Sequence, residues 1–353
     1  MKKIDRIAGL RSHLKGIDGF LASNLKNIQW LSGFAGSNAY AIITKKDRVF
    51  LTDFRYQEEV AHLLHGWDIV ILKKTIPDIA RICKQLGIKR LGFENSVSFA
   101  FFEKLSKNTI ALKPFDGLIE KLRAVKEADE ILAMKIAISR AESAFLRTLP
   151  YIKKGSTEIN ISRRLDDEAK KLGSKKPAFE TIVASGPNSS MPHARASEKK
   201  LSAGDLVVID WGAEADGYFS DTTRTLLLKG SSIQKQIEIY NIVLEANLKA
   251  IRAVKPGATA KAIDKTARDV ITKAGYGPQF GHGTGHGIGM EVHERPNLST
   301  KSSDVVKQGM IFTVEPGIYL PGTGGVRIED MVFVTKNGND VLTSLPKELK
   351  IIV

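Results

Sequence analysis

The sequence has a single cysteine, Cys83, which excludes an intramolecular disulfide and any metal cluster built from thiolates alone. Cys83 lies in an amphipathic helical pattern over residues 79–86, and a free thiol in that setting is expected to be a buried apolar side chain. No stretch is long and apolar enough to span a bilayer. At the N-terminus, Lys2 and Lys3 are followed by Asp5, Arg6 and Arg11, which interrupt the chain before a signal-peptide core could form, so a cytoplasmic protein is expected. No G-x-x-x-x-G-K-[ST] occurs, and the glycine-rich stretch at 281–289 has no G-x-G-x-x-G window, which leaves nucleotide binding without support. Nor is there a run of Lys and Arg alternating with aromatics. The formal charge of +14 is carried by scattered lysines, often beside acids, and reads as a solvated surface rather than a nucleic-acid platform.

With 353 residues, the chain exceeds the size at which one hydrophobic core usually stops growing, and two domains are expected. Residues 1–122 alternate short strands, Ala39–Thr44 and Arg48–Thr52 among them, with helices such as Asp78–Leu86, the pattern of an α/β domain. From Lys126 to Leu149 apolar residues fall at helical spacing, which predicts the first long helix of a second domain, 123–353.

That second domain repeats itself. A helix ends at Lys154-Gly155-Ser156-Thr157 and another, Ile233–Val254, at Lys255-Pro256-Gly257-Ala258-Thr259; in each, glycine stops one helix and threonine caps the next. Gly204-Asp205-Leu206-Val207-Val208-Ile209-Asp210 likewise parallels Gly309-Met310-Ile311-Phe312-Thr313-Val314-Glu315. The offsets are 102 to 105 residues, which predicts two related halves packed into one sheet flanked by helices, with a site at their junction.

The acids inside these strands carry the chemistry. Asp210 ends an apolar strand, where a carboxylate is costly unless paired or metal-bound. Asp221 follows on the next strand. A turn at Ala215-Asp216 would set it directly opposite Asp210 and a turn at Asp216-Gly217 diagonally across, on the same sheet face in both cases. Two anions so close would not both ionise without a cation between them. The second half adds Glu315 and Glu329. Alternation places Arg327 on the side of Glu329, where it can hold a ligating carboxylate, and Asp330 on the other.

Three of the seven histidines, His282, His286 and His293, fall within twelve residues. Alternating glycines make a helix there unfavourable, so a loop or strand is expected, with backbone able to approach a ligand closely. Four carboxylates and one imidazole suit two divalent ions, Mn²⁺ first, with Co²⁺ and Zn²⁺ as alternatives, bridged at about 3.5–4 Å as in two-metal hydrolases. His193, in Ser190-Met191-Pro192-His193-Ala194, and His293 are candidates for stabilising the tetrahedral intermediate and protonating a leaving amine.

These motifs resemble the Xaa-Pro peptidases, aminopeptidase P and prolidase, of the pita-bread metallopeptidase group. The resemblance rests on Val208-Ile209-Asp210, Ser220-Asp221-Thr222-Thr223-Arg224, Gly283-Thr284-Gly285-His286-Gly287-Ile288-Gly289, Val314-Glu315-Pro316-Gly317 and Arg327-Ile328-Glu329-Asp330, and it covers residues 123–353. It implies an α/β (α+β) fold: a pita-bread catalytic domain with a pseudo-twofold repeat. Asp210, Asp221, His286, Glu315 and Glu329 match the family's metal ligands. His193 and His293 match histidines lining the active site, His282 one at the proline pocket, and Arg327 an arginine near the second metal. Arg295 resembles a residue that reads the substrate carboxylate in some dipeptidases. Asn27-Ile28-Gln29-Trp30-Leu31-Ser32-Gly33-Phe34, with Gly36-Ser37 and Leu91-Gly92-Phe93-Glu94, resembles the creatinase/prolidase N-terminal domain. In relatives that domain mediates dimer contacts, which implies a homodimer; methionine aminopeptidases share the catalytic fold but generally lack this domain, and its presence counts against them. The expected function is aminopeptidase P-type hydrolysis of the bond before a proline at the second position of small peptides, without nucleic-acid or membrane partners. The alternatives are a prolidase restricted to dipeptides and a non-catalytic peptide-binding relative. The retained ligand set disfavours the latter, as it disfavours metal-free creatine hydrolysis.

Overall fold

The computed structural model describes residues 5–353, so the reading of Lys2 and Lys3 lies outside the described residues. The chain divides into two compact units, Met1–Arg123 and Ala124–Val353.

In the first unit a six-stranded mixed sheet runs in the order Asp68–Ile71, Arg48–Thr52, Ala39–Thr44, Gly19–Ala22, Arg90–Glu94, Ala111–Phe115. The strands Ala39–Thr44 and Arg48–Thr52 are rich in β-branched and aromatic residues and pair antiparallel over their length. Leu21, Ile42, Leu51 and Leu91 pack against Ile79, Ile82 and Cys83 from the helix Thr75–Gln85. That helix starts three residues before the expected Asp78. Pro77 lies in its first turn, where its missing N–H has no intrahelical partner to lose. Glu94 ends its strand buried and accepts hydrogen bonds from the Ser23 amide (2.6 Å) and hydroxyl (2.9 Å), the Asn24 amide (2.6 Å) and the Asn27 amide group (2.7 Å).

The second unit is built from two similar halves. The helices Ala128–Thr148 and Glu158–Lys171 belong to one, Gln234–Ala253 and Ala260–Lys273 to the other. Thr157 and Thr259 cap the second helix of each half by accepting from Asn160 N and Ala262 N, and each also forms an isolated bridge, with Lys200 and Val305 respectively. Where the repeat predicted one sheet, the strands form two main sheets. One runs Lys350–Ile352, Thr222–Leu228, Leu206–Trp211, Ile182–Ser185; the other Glu294–Leu298, Gly285–Gly287, Ile311–Val314, Asp330–Val334, Asn339–Val341. Separate ribbons are formed by Glu214–Ala215 with Tyr218–Phe219 and by Gly317–Leu320 with Gly324–Arg327. Where the halves meet, the Thr225 hydroxyl both receives the Arg327 amide (3.1 Å) and donates to the Arg327 carbonyl (2.8 Å), and the Glu329 amide donates to the Thr223 carbonyl (3.2 Å). A side-chain hydroxyl of the first sheet thus holds the ribbon strand Gly324–Arg327 where a backbone ladder would otherwise do so.

Candidate metal centre

A two-residue turn at Asp216-Gly217, with φ of 50° and 83°, reverses the first-half hairpin. Asp-Gly tolerates positive φ at both central positions, the geometry that matches strand twist. Ala215 faces Tyr218, and the same register carries Asp210 opposite Thr223, so Asp221 lies diagonally across from Asp210 on one face. Of the two turns the sequence allowed, the diagonal one forms.

The second half brings its donors to the same place. His286 Nε2 lies 3.2 Å from Glu315 Oε1 and 3.6 Å from Asp221 Oδ2. Asp221, His286 and Glu329 each offer a ligand atom, all within 4.8 Å of one another. Asp210 and Glu315 flank this trio, Asp210 close enough for its charge to act on Asp221 and Glu315 through His286. The His286 Nδ1 proton is held by the Gly287 carbonyl at 3.1 Å, so in the neutral ring the Nε2 lone pair faces the acids.

Burial, together with the charges of Glu329 and Asp210, pushes the Asp221 carboxyl well above its usual range, and burial with the charges of Glu315 and Asp210 does the same to Glu329. Asp210 is raised, chiefly by burial, against the opposing pull of Arg327. Glu315 pays the same burial penalty, but the hydrogen bond and charge of His286 outweigh it and hold its carboxyl at about 2. Protein cations alone therefore cannot keep all four acids ionised. Among the described residues Asp210 Oδ1 and Asp221 Oδ1 are buried with no hydrogen-bond partner. Orphaned carboxylate oxygens beside an inward-facing imidazole nitrogen are a donor set that fits divalent cations.

The surrounding side chains hold these donors in place. Arg327 donates to Asp210 Oδ2 (2.7 Å), to Thr223 Oγ1 (3.0 Å), to Tyr319 Oη (2.9 Å) and to the Pro192 carbonyl (3.2 Å). The carboxylate it holds is Asp210; Glu329 instead accepts from the Thr223 hydroxyl at 2.7 Å. Asp330 faces away and pairs with Arg224 and Lys347. Tyr319 Oη meets His282 Nε2 at 2.9 Å while His282 Nδ1 faces the Gly283 carbonyl at 2.8 Å, and burial lowers the His282 pKa. Buried Asp264 accepts from the Thr284 amide and hydroxyl and from Arg268, whose guanidinium also donates to the Phe280 and His282 carbonyls.

A cavity of about 640 Å³ opens over the acids, with His193, His282, His293 and Arg327 in its wall. The His293 ring lies 4.3 Å from that of His286, and burial and the neighbouring His286 charge lower its pKa. Arg295 is not part of this wall. It is paired with Asp304 at 3.1 Å, and Asn297 lines the cavity instead. The structure thus does not bring Arg295 to the position expected of a carboxylate reader. The glycines form a strand, as one of the expected alternatives, and Gly283 and Gly285 line the cavity; a Cβ on Gly285 would meet the Thr313 carbonyl oxygen at 1.9 Å and one on Gly287 the Arg295 carbonyl oxygen at 2.0 Å. They are required for the fit between neighbouring strands.

Residues 133–336 match metallopeptidase family M24, and residues 6–125 match the creatinase/prolidase N-terminal domain. The chain belongs to the Xaa-Pro peptidases of family M24. It is 40% identical to the Xaa-Pro dipeptidase of Pyrococcus horikoshii over 94% of each chain. Its structure matches an Xaa-Pro dipeptidase from Bacillus anthracis with a TM-score of 0.95 and 43% identity, covering 98% of this chain and 99% of that one. An X-Pro aminopeptidase from Thermotoga maritima follows at a TM-score of 0.88 and 36% identity, covering 99% and 100%.

Three residues of this peptidase site went unread in the sequence. Thr223 and Thr313 lie two residues from Asp221 and Glu315, and strand alternation places each on the face of its acid. Tyr319 had no local signal; it meets Arg327 only because their hairpin pairs Gly317 with Arg327 and Tyr319 with Gly325.

Proposed function

We propose that this protein is a metal-dependent Xaa-Pro dipeptidase, hydrolysing the bond between a first residue and proline in small peptides. The sequence reading placed aminopeptidase P first; the relatives named as Xaa-Pro dipeptidases, matched over nearly the whole chain, move the dipeptidase ahead of it. The observation that carries the reading is the pair of orphaned oxygens on Asp210 and Asp221 beneath a cavity walled by histidines.

Asp210, Asp221, His286, Glu315 and Glu329 would hold two divalent ions, Mn²⁺ in the first instance with Co²⁺ or Zn²⁺ as alternatives. Bound there, such ions supply Lewis-acid polarisation of the scissile carbonyl and a water nucleophile usable at neutral pH. Arg327 fixes Asp210 against the developing charge and, through Tyr319, sets the orientation of His282. His193 and His293 stand at the wall. With its pKa lowered, His293 is neutral near pH 7 and offers a ring N–H to the carbonyl oxygen as it gains charge. Cleavage before proline releases a secondary amine, whose nitrogen needs a proton; His193, in the cavity wall, would donate it. The reading also takes the protein as a homodimer, on the resemblance of its N-terminal domain to that of creatinase and prolidase.

One observation favours aminopeptidase action on longer peptides. With Arg295 engaged by Asp304, the wall carries Asn297, which offers no fixed charge to a free dipeptide carboxylate. Comparing kcat/KM for Gly-Pro and an Xaa-Pro-Pro tripeptide in metal-loaded protein decides between them. Faster cleavage of Gly-Pro supports the dipeptidase, whereas cleavage of the tripeptide alone reverses the order.

A further inference from the structure

Glu158 is a buried carboxylate outside the metal centre, at the first position of the helix Glu158–Lys171. Its two oxygens accept six hydrogen bonds, all from residues 185–197. Oε1 receives the Ser185 amide (2.7 Å) and hydroxyl (2.8 Å) and the Asn188 side-chain amide (3.2 Å). Oε2 receives that same Asn188 group (3.1 Å) and the Ser197 amide (3.2 Å) and hydroxyl (2.6 Å). Lys199 reinforces the junction by donating to the Ser185 hydroxyl at 2.8 Å and to Asp205 at 2.7 Å.

The bonds converge on the two ends of one segment. Ser185 ends the strand Ile182–Ser185, Ser197 lies beyond Arg195, and His193 is between them. The excursion is thus closed at its base by a single side chain. Its interior is tied on the side of the second half as well: the Ser189 hydroxyl donates to the Gly186 carbonyl and receives the Gly325 amide, and the Pro192 carbonyl receives Arg327. His193 itself is exposed at the cavity, and among the described residues no hydrogen bond fixes its ring, so its placement is set by the segment beneath it. A buried ion held only for stability is replaceable by apolar packing with little loss, whereas a carboxylate gathering both ends of a substrate-facing loop fixes geometry that apolar packing would not.

We propose that Glu158 is a positioning residue for His193, clamping the 185–197 segment so that the imidazole stands at a set place over the reacting bond. This rests on the reading above in which His193 touches the substrate. The test compares metal-loaded wild type, Glu158→Gln, His193→Ala and the double variant on the better Xaa-Pro substrate, with bound metal, Tm and the His193 ring resonances measured by NMR. Glu158→Gln is expected to lower kcat about tenfold with KM changed less than about twofold, the loss typical of a misplaced group. Bound metal should be unchanged, and the His193 resonances should shift or broaden while those of His62 do not. In the His193→Ala background the same substitution should cost no further kcat, although Tm falls equally in both backgrounds. An equal loss of kcat with and without His193 would make Glu158 merely structural and overturn the proposal, as would unchanged His193 resonances. If Glu158→Gln does not fold, Ser185→Ala and Ser197→Ala release one end each and face the same criteria. Wild-type protein inactive on every Xaa-Pro substrate would sink the functional reading, while the NMR comparison still judges the clamp.

Discussion

The two units each bury a carboxylate cluster, and they treat it in opposite ways. In the N-terminal unit Glu94 has both oxygens engaged by backbone and side-chain donors from Ser23, Asn24 and Asn27. In the catalytic unit Asp210 and Asp221 face one another, each with an oxygen that no described residue satisfies. Burial raises the pKa of all three, so burial alone does not mark a functional acid. The difference lies in who supplies the compensating charge. At Glu94 the fold completes the site with its own donors; at Asp210 and Asp221 the fold leaves room for a cation.

The largest effect that would break this contrast is at Asp221. Asp221→Asn should lower kcat/KM by at least about 10³-fold, the scale seen when a central charge-stabilising group is removed. The metal-free variant should be as stable as metal-free wild type or more so, since a buried like charge is gone. Metal analysis, kinetics and thermal melts check this, and full activity or unchanged metal content would contradict the assignment. At Glu94 the consequences should invert. Glu94→Ala strands several buried donors and should cost about 3 kcal/mol in denaturant unfolding, at roughly 1–3 kcal/mol for each unsatisfied group, with bound metal per folded chain unchanged.

The smallest effect sharpens the comparison through pH. Burial raises the Glu94 pKa above its ordinary 4.5 in spite of its donors. A carboxyl raised on folding contributes stability that is fully present below 4.5 and lost as pH rises through its folded value. The stability gap between wild type and Glu94→Gln should therefore widen toward wild type as pH falls from 7 to 4. Urea midpoints across that range measure it, and a gap that narrows with acid would show that the donors, not burial, dominate.

Much of the site was legible because its signals are local. Asp210 and Glu315 announce themselves as acids closing apolar strands; the sequence put Asp221 on the face of Asp210 with either turn, and the structure forms the Asp216-Gly217 turn that sets it diagonally across. The start of the helix at Thr75 was obscured by Pro77, whose penalty vanishes in a first turn. Arg295 was misplaced because sequence adjacency to His293 says nothing about direction: the side chain turns to Asp304, and Asn297 takes the wall. Tyr319 and Glu158 were missed because partners of each, His282 for Tyr319 and Ser197 for Glu158, lie in segments distant along the chain.

The sequence by itself determined the element types, the duplicated halves and the inventory of acids and imidazoles, because periodicity, caps and turn residues act over a few neighbours. Only the tertiary structure decided that Arg327 holds Asp210 rather than Glu329, that the Thr225 hydroxyl ties the first sheet to the ribbon strand of Arg327, and which carboxylate oxygens remain without a donor. Those outcomes depend on which side chains converge when distant strands pack, and convergence is set by register and burial across the whole unit rather than by any one segment.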